Sequence, residues 1–299
     1  NYKDQIKDGT LLIKGSEIID VGTKVKIPKG TIIHDLEVLT ICPSFIEIYS
    51  IHFQDSESQK SNNLNIGSWN SAIQAEYNAA NHLFVDEDLA EQFIFSGFGT
   101  INSLLEGNVV NGTSVLFHPS FKKIHEFILN EKTAFCFSLH PTKRGSYPTS
   151  LMGAIALLRQ AYYDAEWYAQ QKDHYNISLE SFNENRSLPK IIETNDLQSI
   201  FRADKISGEF EEEFIIKTNG EEYQRVNDIK NTWARLIIPL DFPELEIIND
   251  PYDAFQYSLQ ELKHWEMGPF NSVILAEKKI PFSLTTDGLD TVSSFLDKL

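Results

Sequence analysis

Lys190-Ile-Ile-Glu-Thr194, Glu213-Phe-Ile-Ile-Lys217 and Arg235-Leu-Ile-Ile-Pro239 are the stretches whose reading decides the fold. Each is strand-sized and rich in isoleucine, as a strand covered on both faces should be. Between them lie Asp196–Phe210 and Gly220–Asn231, both read as helices. Strand, helix and strand recurring at ~20–30-residue spacing predicts parallel strands joined by crossover helices.

The same rhythm extends in both directions. Downstream, Asp253–Lys263 and Asn271–Lys279 read as helices, Ile280-Pro-Phe-Ser-Leu-Thr285 as a strand, and Val292–Leu299 as the start of a last helix. Upstream, Phe45–Tyr49, Thr100–Leu104, Val115–Phe117 and Ala134–Phe137 read as strands. Asp86–Phe95 is a helix with acids in its first turn, ended at Gly97. Ser150–Gln171 is the longest helix, with apolar residues at 151, 155, 158, 162 and 165. The Ser-, Asn- and Gln-rich stretch Gln54–Asn65 reads as a loop. Seven or eight strands of this kind favour a closed (β/α)8 TIM-like barrel over an open sheet. Neither GxGxxG nor a Walker A motif is present, which weakens dinucleotide and P-loop readings.

The first 42 residues follow a different grammar. Thr10–Lys14 and Glu17–Val21 are strands around the turn at Lys14-Gly-Ser16, and Thr31–His34 and Val38–Ile41 are expected to continue a small β-meander. Four or five such strands with one apolar face are marginal alone and need something to pack on. The division is therefore a small β portion, 1–42, and an α/β portion, 43–299.

The chain has 299 residues and a formal net charge of −17, with 41% hydrophobic residues. This is the composition of a globular chain with a large core. The charge argues against a nucleic-acid partner, which would need a basic surface. No run approaches the ~20 apolar residues of a membrane-spanning helix, so no membrane insertion is expected. Cys42 and Cys136 carry no metal-ligand spacing and read as two buried thiols.

Asp8–Gly22 followed by Pro43-Ser-Phe-Ile-Glu47 resembles the opening of the amidohydrolase superfamily, in which an ILIKDGKIVAVG-like strand pair leads into PGFIDxHxH. The resemblance continues through Asn70–Asn78, Gly97–Thr100, Ser146–Gln160, Ala203–Lys205, Glu222–Arg225, Leu262–Glu266 and Leu284-Thr-Thr-Asp-Gly288. It is imidazolonepropionase-like, and the later stretches resemble the degenerate N-terminal barrel of large Bacteroidetes amidohydrolase-related proteins. It implies a (β/α)8 barrel with a small β-sandwich portion supplied partly by residues 1–42, the C-terminal sandwich strands being absent from this chain. It further implies a metal-dependent hydrolase of C–N bonds, with zinc or another divalent ion at the strand ends.

Set against that family, the metal-ligand positions are changed. The HxH pair falls on Tyr49 and Ile51, and His52 lies one residue further on, where strand alternation turns it to the other face. The fifth and sixth strand ends, which carry ligating histidines in the family, run into Thr194 and into Thr218-Asn219. The strand Ala134–Phe137 carries no lysine, and the acid of the eighth strand remains as Asp287. The expectation is therefore a non-catalytic ligand-binding or scaffolding barrel without a metal. Tyr49, His52, Thr194 and Asn219 are its pocket candidates, and Asp287 is the sole candidate catalytic group. The alternative is an active hydrolase with an atypical zinc or other divalent site around Asp287 and His52. His118, His125 and His140 lie near strand ends without ligand spacing, and His264 reads as packing with Trp265. A second amidohydrolase barrel or a homodimer is the expected partner, and the resemblance alone implies a periplasmic or secreted location.

Overall fold

In a computed structural model the described residues are 6–37, 39–55, 67–120, 126–140, 147–170, 174–243, 252, 255 and 257–299. Most of the loop expected at Gln54–Asn65, the residue His125 and part of the helix expected at Asp253–Lys263 lie outside them. The chain divides into two compact units, Asn1–Pro43 and Ser44–Leu299.

In the first unit, β1 (Thr10–Lys14) and β2 (Glu17–Gly22) form an antiparallel hairpin. Gly15 makes the turn with φ of 63°. The strands expected at Thr31–His34 and Val38–Ile41 do not form among the described residues. A two-stranded hairpin offers too little surface to recruit them, and Ile32, Ile33, Leu39 and Ile41 stay exposed. Cys42 is exposed too, while Cys136 is buried.

The second unit holds β3 (Phe45–Ser50), α1 (Glu87–Phe95), β4 (Phe98–Ser103), β5 (Val110–Thr113), β6 (Val115–Phe117), β7 (Ile128–Asn130) and β8 (Phe135–Ser138). There follow α2 (Leu151–Gln170), α3 (Ile177–Asn185), β9 (Lys190–Glu193), α4 (Leu197–Phe210), β10 (Phe214–Lys217), α5 (Val226–Thr232) and β11 (Arg235–Pro239). Last come α6 (Leu259–Met267), α7 (Asn271–Glu277), β12 (Phe282–Thr285) and α8 (Phe295–Lys298). The decisive stretch behaves as expected. Strands β8 to β12 run parallel in sequence order, and the helices α2 to α7 lie in the connections between them. Asp196 caps α4 by accepting from the Ser199 backbone, and Asp86 caps α1 in the same way.

Between β4 and β8 the parallel pattern fails. Strand β5 joins the six-stranded sheet antiparallel to β8, and β6 joins a separate four-stranded sheet antiparallel to β4 and β7. The connection from β4 to β5 is far shorter than the dozen or so residues a parallel crossover needs. Strands β5 and β6 are separated only by Ser114, so one extended segment passes from one sheet to the other. On the opposite side, the two sheets are joined through β3 and β12 by hydrogen bonds to Glu47.

Strand alternation divides the core. Phe135, Phe137, Ile192, Phe214, Ile216, Leu236 and Ile238 face the helices, packing with residues such as Leu158, Tyr162 and Ile200. Cys136, Ile191, Ile215 and Ile237 face the other way and cluster with Tyr49 and Leu104. A third cluster of Phe53, Phe93, Phe98, Phe117 and Phe295 fills the space around β3, β4 and β6.

Gly112 holds β5 against residues 73–78. Its φ is 72°, and a Cβ there would overlap the Tyr77 carbonyl, which itself accepts from the Thr113 amide at 2.9 Å. Gly112→Ala should therefore cost about 2 kcal/mol or more, because both the backbone and the contact are strained. Urea unfolding of the variant beside the parent measures it.

Candidate functional site

The inward residues at the ends of the parallel strands follow from period-two alternation. On β9 the inward Ile191 is followed two residues later by Glu193. On β10 the inward Ile215 is followed by Lys217. On β3 the inward residues are Glu47 and Tyr49. Strand β12 ends at Thr285 and leads into Asp287. These strand ends bring together an ammonium, carboxylates and a phenol.

Lys217 is the centre. Its Nζ lies 2.5 Å from Asp287 Oδ2 and 4.0 Å from Glu193 Oε1, with all three side chains at most 15% exposed. It also stands 5.1 Å from the centre of the Tyr49 ring. Glu106, on the segment after β4, adds a fourth charge. As a residue it is exposed, yet its carboxyl lies above the ordinary range. Burial around that group is the main cause, followed by the negative charges of Glu193 and Asp287, while Lys217 pulls it back down. Tyr49 is 2% exposed. Its phenol is pushed well up, first by burial and then by Glu193, Asp287 and Glu106. It stays a neutral hydroxyl. Cys136 is pushed up to about 12 by burial on the same face, so it is an unreactive thiol.

Glu47 is fully buried beneath this group. It accepts from the Tyr49 amide at 2.8 Å, the Thr285 hydroxyl at 2.6 Å and the Thr286 amide at 2.7 Å. Its pKa is raised, because burial outweighs those hydrogen bonds.

Of the candidates named from sequence, Tyr49 and Asp287 lie within this group. Thr194 is buried one residue past Glu193, and its hydroxyl donates to the Lys217 carbonyl at 2.9 Å. It ties the strand ends together without facing the charges. Asn219 is half-buried and donates to Glu221 at 2.9 Å. His52 is exposed in the turn after β3. Sequence reasoning passed over Glu193, Lys217 and Glu106. For the first two the missing signal was the alternation itself, counted forward from Ile191 and Ile215. His264, expected to pack with Trp265, stacks on Tyr223 with ring centres 5.9 Å apart.

The arrangement gathers charge at the strand ends. Lys217 is ion-paired, the phenol is protonated, and among the described residues no group of three or more His, Cys, Asp or Glu side chains could hold a metal ion. A cavity of about 590 Å³ lies at the other ends of the strands, lined by Lys190, Asp204, Phe214, Trp233 and Arg235 among others. It is remote from these charges by the whole length of β9 and β10.

No family model matches the chain, and no curated protein matches it. Among solved structures, an amidohydrolase from Thermotoga maritima MSB8 superposes with a TM-score of 0.73 at 15% identity, covering 96% of this chain and 76% of that one. The fold is amidohydrolase-like.

Lys217→Met should destabilise the protein by about 3 kcal/mol near pH 8 by leaving partly buried carboxylates without their cation. The deficit should shrink toward about pH 5. Lys217 pulls the raised Glu106 carboxyl back down, so without the ammonium that carboxyl sits higher still above its unfolded value. A raised acid adds stability below its unfolded value and loses it as pH climbs through the folded one. Urea midpoints across that range check this, and a deficit independent of pH would refute the role given to Lys217.

Proposed function

We propose that residues 44–299 close into a (β/α)8-type barrel of amidohydrolase fold that works without a metal centre, as a ligand-binding or scaffolding barrel. Closure is supported by the two joins between the sheets, the continuous β5–β6 segment and the hydrogen bonds of Glu47 to Thr285 and Thr286. The fold is supported by the Thermotoga maritima amidohydrolase.

One observation carries the metal-free reading: the Lys217 ammonium lies 2.5 Å from Asp287, the one acid that matches a metal-ligand position of the superfamily. A divalent ion beside Asp287 would meet a fixed positive charge. It would find a protonated phenol at Tyr49 and no imidazole among the described groups facing Lys217. The residues at these strand ends do not fit a catalytic zinc. The imidazolonepropionase-like and Bacteroidetes affinities, and a periplasmic or secreted location, belong to this proposal on the sequence resemblance alone.

Elemental analysis of the dialysed protein should find well under one zinc, manganese or iron per chain. A stoichiometric metal surviving dialysis would overturn the reading in favour of an active C–N hydrolase around Asp287.

The first unit bears on partners. Ile13, Ile18, Ile19 and Val21 of the β1–β2 hairpin are all more than half exposed, an apolar surface of the kind that association covers. A second copy of the chain, or a second barrel, is the proposed cover. Sedimentation velocity should show a dimer that weakens in the double variant Ile18→Ser with Val21→Ser, and a monomeric parent would count against it.

A further inference from the structure

We propose that the strand-end group of Tyr49, Glu106 and Glu193 binds a small organic cation carrying N–H donors, a primary ammonium or a guanidinium. The inference rests on the metal-free ligand-binding reading and adds the ligand's chemistry to it.

The charges do not balance. Among the described residues three carboxylates, Glu106, Glu193 and Asp287, face one ammonium, Lys217. That ammonium is spent mainly on Asp287, at 2.5 Å, while Glu193 is 4.0 Å away, beyond hydrogen-bond reach. Neither the Glu193 nor the Glu106 carboxylate takes a hydrogen bond among the described residues. The site therefore retains negative charge and open acceptors, the two things a cation with N–H donors requires. An anion would meet that negative field and find Lys217 already engaged.

Tyr49 supplies the second, independent observation. It is 2% exposed, and its hydroxyl makes no hydrogen bond among the described residues. A phenol this buried ordinarily finds a protein partner, and here the hydroxyl oxygen is not one of the fully enclosed unpaired atoms, so it stays reachable from outside. This one stands in the field of the same three carboxylates, and its ring is already within 5.1 Å of a cation. The hydroxyl offers an acceptor lone pair to an N–H donor, while the ring is already engaged by Lys217.

The test uses the full chain and four probes at matched ionic strength: propylammonium chloride, methylguanidinium chloride, sodium acetate and inorganic phosphate. Calorimetric titration should show saturable binding of one or both cations and none of either anion. Glu193→Gln should weaken cation binding about tenfold. Glu106→Gln, at an exposed residue where folding is not at stake, should weaken it in the same direction. Tyr49→Phe keeps the ring, so it should lose part of the affinity and leave the rest. Four results would overturn the proposal: binding of acetate or phosphate in place of the cations, binding of none of the four, cation binding unchanged in Glu193→Gln, or cation binding unchanged in Glu106→Gln. Anion binding would still leave a metal-free ligand site standing. A tightly held zinc in the dialysed protein would instead remove the reading on which the inference rests.

Discussion

The carboxylate of Glu47 is the constraint on which the second unit depends. It is fully buried, and burying an ionised carboxylate is costly unless its lone pairs are filled. Three donors fill them: the Tyr49 amide from β3, and the Thr285 hydroxyl and Thr286 amide from the end of β12. The residues joined are more than 200 positions apart in sequence. Burial still wins, and the pKa stays raised, so at neutral pH this group stores unfavourable energy that the surrounding packing offsets. In return it fixes the relative positions of Tyr49 and of the turn that carries Asp287. The join between the sheets and the charged group above it are one piece of construction.

The strand ends show how near and how far sequence reasoning reached. The strands at 190–239 were legible because runs of isoleucine between helix-length polar stretches admit few other readings. The family positions at the strand ends point to Thr194 and Asn219, whereas alternation from Ile191 and Ile215 points to Glu193 and Lys217. In a period-two structure one residue is the difference between facing the charges and tying neighbouring strands together. Glu193 faces inward and Thr194 bonds to the Lys217 backbone. Strand β5 escaped notice because Val110-Asn-Gly-Thr113 is short and polar, and becomes a strand only through pairing with β8. Helix α3 reads poorly for a similar reason: Ile177–Asn185 is largely polar, and what seats it is Phe182 packing on Phe135 and Tyr162. The strands expected at 31–41 failed in the opposite way, having the composition of strands without a partner to pair with. Glu47 was legible as a motif position, but its partners lie at the far end of the chain.

Two lysines on neighbouring strands allow the strand-end charges to be weighed against an ordinary structural ion pair. Lys190 opens β9, and its ammonium donates to the carbonyls of Arg186 at 2.6 Å and Leu188 at 3.2 Å and pairs with Glu212 at 2.8 Å. Its three donors are used, and Glu212 is shared with Arg186 at 2.7 Å, so charge and hydrogen bonding both close locally. Lys217 ends β10 with similar burial but a different shell. It has one short carboxylate, one distant carboxylate and an aromatic face. The same side chain is saturated at one end of the sheet and under-coordinated at the other. If both lysines served only to hold strands together, there would be no reason to surround the second, among the described residues, with excess negative charge and a phenol whose hydroxyl makes no hydrogen bond. An arrangement that tolerates this imbalance leaves both charge and hydrogen-bonding capacity for something that enters from outside.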